Sequence, residues 1–258
     1  MNHNLNIALV YNKKLKPESE IMVKEAVEFL KKSCNVKVNP KYFDDTDVIV
    51  IYGGDGYLLN VANKVSYLRT SIVGVNLGRV GYLCGIQKEK HINRLNDILH
   101  DNYYISNRTR ISAKINEKNE IDALNEISIG GINRTVYLEL KFITDRKYLL
   151  KSIGDGIVFS TRTGSTAYNV NAGGSVILNN ELFSVVANNA IFQSDILPMN
   201  TKSIVVNTET RFEVKILNKN RNNIPFLIAD GQRTIKLDKD DIVTIEKSIN
   251  VTKLIMFE

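Results

Sequence analysis

The chain has 258 residues, 43% hydrophobic and 24% charged, a balance that suits one large or two small soluble domains and excludes a disordered or fibrous protein. A net charge of +6 suits nucleic acid, a membrane surface or phosphorylated small molecules, yet it is spread thin: 14 basic and 10 acidic residues lie in 1–100, 20 and 18 in 101–258, with no long basic run or nucleic-acid motif. No apolar run approaches the length of about eighteen residues that a membrane helix needs, and the N-terminus does not read as a signal peptide. In chain order, Leu5–Tyr11 reads as a buried strand, and Pro17 opens a helix through Ser33 with Met22, Ala26, Phe29 and Leu30 on one face. Asp47–Tyr52 is a β-branched strand that ends abruptly in Gly53-Gly54, and Leu58, Leu59, Ala62 and Val65 mark a helix directly after it. Ser71–Val75 is the next strand and His91–His100 the next helix. Such alternation predicts a parallel sheet covered by helices over residues 1–100, a Rossmann-like α/β domain.

Beyond residue 100 the texture changes. Arg110–Ile115, Val136–Thr144, Ile153–Ser160, Ser203–Val206, Phe212–Leu217 and Ile242–Glu246 are short β-rich runs separated by Asn, Asp, Lys or Gly. They predict a mainly-β sandwich over 101–240, with one helix around Thr163–Asn171 and a C-terminal segment, 241–258, that returns to the first domain. Cys34 and Cys84 form no spaced pair and read as reduced thiols in a cytoplasmic protein. His3, His91 and His100 are too scattered in sequence for a clustered metal site.

Four segments carry candidate chemistry. Gly53-Gly54-Asp55-Gly56 lies between strand and helix, where glycine lets backbone approach a ligand and a helix N-terminus offers N–H groups to an anion. It is neither a Walker loop nor the dinucleotide fingerprint, whose third glycine is Leu59 here. Asp55 fits a proton acceptor or metal ligand in a phosphate cradle, or equally a helix cap in a plain turn. Gly74–Gly85 holds four glycines in twelve residues, with Arg79 either facing a phosphate or solvated. Asn125-Glu126 interrupts an apolar strand: an amide and a carboxylate suit a nucleoside's base edge and ribose hydroxyls, and equally suit a strand-end turn. Gly154-Asp155-Gly156 leads through a strand into Thr161–Ser175, where Thr163, Ser165 and Thr166 read as helix caps or as ligand contacts. A nucleophilic serine is disfavoured, because no G-x-S-x-G elbow surrounds Ser165 and every histidine lies upstream.

Taken together, GGDG after a strand, the NE pair and GDG-x₇-GSTAY-x₄-AGG resemble the NAD kinases, from Leu5 to Asp230-Gly231-Gln232. The resemblance implies transfer of the γ-phosphoryl group of ATP to the 2′-hydroxyl of the adenosine ribose of NAD, with Mg²⁺ arriving with ATP. It implies that Asp55 is the base and that Gly53, Gly54, Asp55 and Gly56 cradle the ATP phosphates. Asn125 and Glu126 would hold the adenosine of NAD, with Thr163, Thr166, Ala167, Tyr168 and Asn171 lining the same site. Asp155 and Ala190 would reach NAD from a neighbouring subunit of a homo-dimer or homo-tetramer, and Gln232 would sit near the active centre. A lipid kinase sharing GGDG and a non-catalytic NAD-binding regulator are the alternatives. The chain departs from the family pattern at Tyr57, usually Thr, at Arg162, usually Pro, and at Pro198, all that remains of a proline-rich stretch. With these motifs on the page, the basic excess points to small anionic substrates, with neither nucleic acid nor membrane as a partner.

Overall fold

Apolar runs too short to be helices, each followed by an amphipathic stretch, can bury both faces only as parallel strands under helices. The computed structural model describes residues 5–12, 17–78, 81–131, 136–142, 149–189, 191–193, 203–217 and 224–258. The chain folds as two compact units, Met1–Asn107 with Val251–Glu258, and Arg108–Asn250.

In the first unit β1 (Asn6–Tyr11), β2 (Asn35–Val38), β3 (Val48–Gly53) and β4 (Ser71–Asn76) pair in parallel in the order β2-β1-β3-β4. β5 (Ile86–Gln87) pairs in parallel with β4. Lys253 and Leu254 of the last strand also pair in parallel with β4. The order turns back at β1, so the C-terminal ends of β1 and β3 flank the switch point where open α/β sheets bind ligands. Three helices cover the sheet: α1 (Pro17–Leu30), α2 (Asp55–Lys64) and α3 (His91–Leu99). The first starts with Pro17 and carries Glu18 and Glu20 in its first turn, where the dipole favours them. It buries Val23, Ala26 and Leu30, and it stops three residues before the expected Ser33. Both the N–H and the thiol of Cys34 donate to the Leu30 carbonyl, at 3.0 and 3.1 Å, which closes the helix end.

The second unit is antiparallel. One sheet runs β14-β12-β11-β8-β16-β17, from β8 (Glu126–Gly131), β11 (Gly156–Ser160), β12 (Leu182–Asn188), β14 (Ser203–Asn207), β16 (Pro225–Ala229) and β17 (Arg233–Lys236). The other strands are β6 (Tyr104–Ile115), β7 (Lys118–Ala123), β9 (Val136–Phe142), β10 (Leu149–Gly154), β13 (Ile191–Gln193), β15 (Phe212–Ile216) and the long β18 (Ile242–Met256). Here β6 pairs with β7, while β13-β10-β9-β15 continues onto residues 242–245 of β18. Side chains from both layers fill one core, and Phe159 of β11 meets Phe212 of β15 with ring centroids 5.2 Å apart.

The single strand expected over Ile153–Ser160 is two. The chain leaves one sheet at Gly154 and enters the other at Gly156, whose φ of +151° only glycine adopts freely. A β-carbon on Gly156 would lie 2.3 Å from the Ile129 carbonyl oxygen, so the corner requires glycine on steric grounds as well. Under this core lies a buried ion pair. Arg110, fully inaccessible, donates from Nε and Nη2 to the two oxygens of Asp122 at 3.0 and 2.9 Å. Asn250 donates to the same carboxylate at 3.1 Å and Arg233 lies 3.6 Å from it. Burial alone would raise the Asp122 pKa, but the bonds and charge of Arg110, with Asn250 and Arg233, hold it below the usual carboxylate value.

Candidate active site

In the first unit the glycine loop leaves the C-terminal end of β3. Gly54 caps α2 in an extended conformation with no side-chain cap, and Asp55 is the first helical residue. Its carboxylate therefore sits at the positive end of the helix dipole. It does not cap its own helix: Asp55 Oδ2 accepts the N–H of Tyr82 at 2.7 Å and Oδ1 the N–H of Leu83 at 3.1 Å. Two backbone donors thus fix the carboxylate's plane, a role the local pattern of Gly74–Gly85 did not disclose. Beside it the Cys84 thiol is pushed up to about 12, first by burial and then by the Asp55 charge, so Cys84 stays a neutral thiol. Arg79, the cation of this segment, lies outside the described residues.

The loop is also supported from below. Tyr52, fully buried one residue before Gly53, bonds its hydroxyl to His91 Nδ1 of α3 at 3.0 Å. Burial lowers the His91 pKa against the opposing charge of Glu25, whose Oε2 lies 3.7 Å from Nε2. Tyr57, the first departure, packs its ring over Gly53, where an added β-carbon would meet Cδ1 at 2.9 Å.

The second unit gathers a different set. Asn125 and Glu126, at the start of β8, are 8% and 7% exposed, and Asn125 Oδ1 and Glu126 Oε2 have no hydrogen-bond partner. The turn that follows β11 is closed onto them. Thr161 donates its N–H to the Asn125 carbonyl at 2.9 Å and its hydroxyl to the Leu124 carbonyl at 2.6 Å. Gly164 lies so close that a β-carbon there would be 2.2 Å from the Asn125 carbonyl oxygen. Thr163, expected as a cap, leaves its buried Oγ1 without a partner; Thr161 accepts the Gly164 N–H at 3.2 Å instead. Three buried polar atoms on adjoining segments thus lack partners within the protein and are open to a ligand that supplies them.

The helix expected over Thr163–Asn171 is a 3₁₀ turn, Gly164–Thr166, then a one-turn helix α4 (Tyr168–Asn171). Side-chain bonds replace helical ones there: Ser165 Oγ accepts the Ile177 N–H at 3.0 Å and donates to the Arg162 carbonyl at 2.8 Å. The turn therefore closes without the proline that Arg162 replaces. Thr166, Tyr168 and Asn171 are exposed and Ala167 half-buried, available to a ligand but held by few contacts of their own. Asp155 sits at the sheet-to-sheet corner, where Asn189 Nδ2 donates to its Oδ2 at 2.8 Å. Asn188 donates to the Tyr168 hydroxyl at 3.2 Å, and a cavity of about 180 Å³ opens among Ser128, Gly130, Asp155, Tyr168, Asn188 and Phe226. Ala190 and Pro198 lie outside the described residues.

Asp230, in the β16–β17 turn, is the residue the motifs undervalued. It is 7% exposed, and its carboxylate accepts the N–H groups of Leu124, Asn125 and Glu126 at 2.9, 2.7 and 3.1 Å, while its own N–H donates to the Glu126 carbonyl at 3.0 Å. Glu126 is pushed up to about 8, first by burial and then by the Asp230 charge. Gln232 follows in the same turn, exposed, with its N–H on the Ala229 carbonyl at 3.0 Å. The sequence signal for this turn is Asp-Gly itself, with Asp230 at φ +51° and Gly231 at +63°.

A family model of the ATP-NAD kinase N-terminal domain matches residues 6–103, and one of the ATP-NAD kinase C-terminal domain matches 124–257. Among curated relatives, the NAD kinase of Clostridium kluyveri is 31% identical over 98% of this chain and 91% of its own length. That of Clostridium perfringens is 30% identical over 98% and 94%. Two solved structures share the fold: yeast NADH kinase complexed with NADH, with a TM-score of 0.84, 18% identity and coverage of 100% of this chain and 84% of that one; and an NAD kinase from Archaeoglobus fulgidus in complex with ATP, with a TM-score of 0.75, 24% identity and coverage of 98% and 94%.

Proposed function

The chain belongs to the NAD kinase family and is a phosphotransferase with an alcohol acceptor, making NADP from NAD and ATP, and from that premise we propose the residues that perform the transfer. The observation that carries the assignment is the buried, unpartnered trio of Asn125 Oδ1, Glu126 Oε2 and Thr163 Oγ1. Adenosine supplies what they lack: an exocyclic amine for the amide oxygen, and ribose hydroxyls for the carboxylate and the threonine. Thr166, Ala167, Tyr168 and Asn171 line the same site, with Gln232 close by; Asp155 and Ala190 serve the dinucleotide of a neighbouring subunit.

Gly53, Gly54 and Gly56 take the ATP phosphates on backbone N–H groups at the start of α2, as glycine loops before a helix do. Asp55 orients the 2′-hydroxyl and accepts its proton as the bond to phosphorus forms; the two N–H groups on its oxygens fix the direction of attack. Phosphoryl transfer asks little else of the protein beyond alignment and charge neutralisation. Mg²⁺, when bound with ATP, supplies that neutralisation. The loop offers N–H donors and a single carboxylate, which suits a metal held by phosphate and water and not by a protein cage.

The enzyme is cytoplasmic on this reading, which the free thiols of Cys34 and Cys84 suit. It works as a homo-dimer or homo-tetramer, for which Val170, Val176 and Leu178, 43%, 52% and 83% exposed around the site turn, supply apolar surface. The test is incubation with NAD, ATP and Mg²⁺ followed by detection of NADP with an NADP-specific dehydrogenase. NADP that forms only when all three are present is the expected result; folded protein that makes none overturns the assignment.

Gly164→Ala probes the site without touching a charge. The added methyl meets Asn125 backbone at 2.2 Å, so the turn must shift. Overpacking of this kind strains the turn by about 1–3 kcal/mol, and to the extent that NAD binding bears that strain, kcat/KM for NAD should fall by about 5- to 150-fold. Steady-state kinetics at saturating ATP measures it, and a change under twofold would show that the turn does not contact NAD.

A further inference from the structure

Two buried carboxylates, Glu126 and Asp230, meet at the start of β8, and their surroundings differ. Asp230 accepts three backbone N–H groups. Glu126 Oε2 is buried with no partner. Among the described residues, Asp230 is the charge that raises the Glu126 pKa, after burial; β11 sets Ser160 opposite Glu126, and the next turn carries Thr161, Arg162 and Thr163. Arg110 of β6 and Arg233 of β17 are both engaged by Asp122. Like charges in low dielectric do not both ionise readily, so the proton belongs on the carboxyl without donors.

We propose that Asp230 is a positioning residue of the NAD site: it aims the Asn125-Glu126 backbone and keeps Glu126 protonated while the site is empty, so that capture of the adenosine ribose is coupled to loss of a proton. The proposal rests on the assignment of Asn125 and Glu126 to NAD. In the empty site the neutral carboxyl avoids a second buried negative charge. When the ribose arrives, its 3′-hydroxyl needs an acceptor; the Glu126 O–H bond breaks, the proton leaves to solvent, and the carboxylate accepts the 3′-hydroxyl, leaving the 2′-hydroxyl to Asp55. With Glu126 titrating near 8, the empty enzyme is mostly protonated at pH 7, and NAD affinity should fall toward tenfold per pH unit as pH drops below about 8. At pH 9 and above Glu126 is already ionised and no proton is released.

The experiment is isothermal titration calorimetry of NAD into the whole enzyme, in two buffers of different ionisation enthalpy. Wild type is expected to release close to one proton per NAD at pH 7 and almost none at pH 9. Glu126→Gln should release none at either pH. Asp230→Asn should release less at pH 7, because the neighbouring charge is gone, and should raise KM for NAD about tenfold while KM for ATP stays near its wild-type value. A purely structural Asp230 would weaken both substrates and leave the proton count unchanged. Equal heats in both buffers for wild type at pH 7 overturn the proposal, as does an Asp230→Asn enzyme with wild-type KM for NAD. If Asp230→Asn does not fold, the wild-type and Glu126→Gln proton counts decide alone. Asn125→Ala separates this from failure of the site itself: wild-type NAD affinity there removes the NAD assignment, whereas weak NAD binding with no proton release in wild type removes only the coupling.

Discussion

Asp55→Asn is expected to lower kcat by about 10²- to 10⁴-fold, the usual worth of a positioned general base, while NAD still binds. The asparagine keeps the shape of the side chain and one acceptor. Its NH₂ group, however, faces one of the two backbone N–H donors that now end on the carboxylate, from Tyr82 at 2.7 Å and Leu83 at 3.1 Å. One hydrogen bond is therefore lost along with the base, which costs about 1 kcal/mol locally and leaves β3 and α2 in place. NADP formation under saturating substrates gives kcat, and calorimetry gives NAD affinity. Turnover within tenfold of wild type would remove Asp55 from proton transfer.

The largest stability effect is expected at Asp122. Replacing it by Ala leaves Arg110, with no exposed surface, as a buried charge without its main partner, a change that destabilises by roughly 3–5 kcal/mol. Chemical denaturation of the holo-chain reads it directly. The double substitution Arg110→Met with Asp122→Leu removes both charges and should recover most of the loss, because a well-packed apolar pair also avoids the desolvation penalty. The pair also has a pH signature. The Asp122 pKa is depressed on folding, so its contribution is complete above the ordinary carboxylate value and is lost as pH falls through the lower folded value. Wild type should therefore lose stability below about pH 4 with a slope that the double variant lacks. Equal acid slopes in the two proteins would show that the pair does not govern acid unfolding.

Local pattern was enough for the features whose physics is local. The apolar run Val48–Ile51 ending in Gly53-Gly54 announced strand, turn and helix, because β-branched residues and glycine act on their own backbone. Leu30 is different: the helix ends there because Cys34 turns back to its carbonyl, and nothing between them breaks a helix. The run Ile153–Ser160 is β-rich on either side of Gly154-Asp155-Gly156, so composition read it as continuous; the clash of a β-carbon with Ile129, a residue on another strand, shows why the chain must turn. The Asn125-Glu126 pair was ambiguous in the same way. What fixes its backbone is a carboxylate 104 to 106 residues further on, and spacing carries no trace of a bond that long-ranged. The glycine loop showed where Asp55 lies and left its partners open, because they are backbone groups of Tyr82 and Leu83, which any residue could supply.

β18 has a bearing on the order in which the molecule is built. Residues 251–258 belong to the first unit, where Lys253 and Leu254 lie along β4 and Ile255 enters the core, yet they are synthesised only after the whole 108–250 unit. Domains usually acquire their structure in the order they leave the ribosome. Here that order is inverted: the 108–250 unit is a contiguous stretch of chain and can close by itself, whereas the sheet that carries Asp55 waits for its final strand. The unit that carries Asp55 is thus the later one to mature, and contacts spanning most of the chain make its completion the slower event. A chain broken off before residue 251 would carry a complete 108–250 unit and a first unit without the strand that pairs with β4 through Lys253 and Leu254.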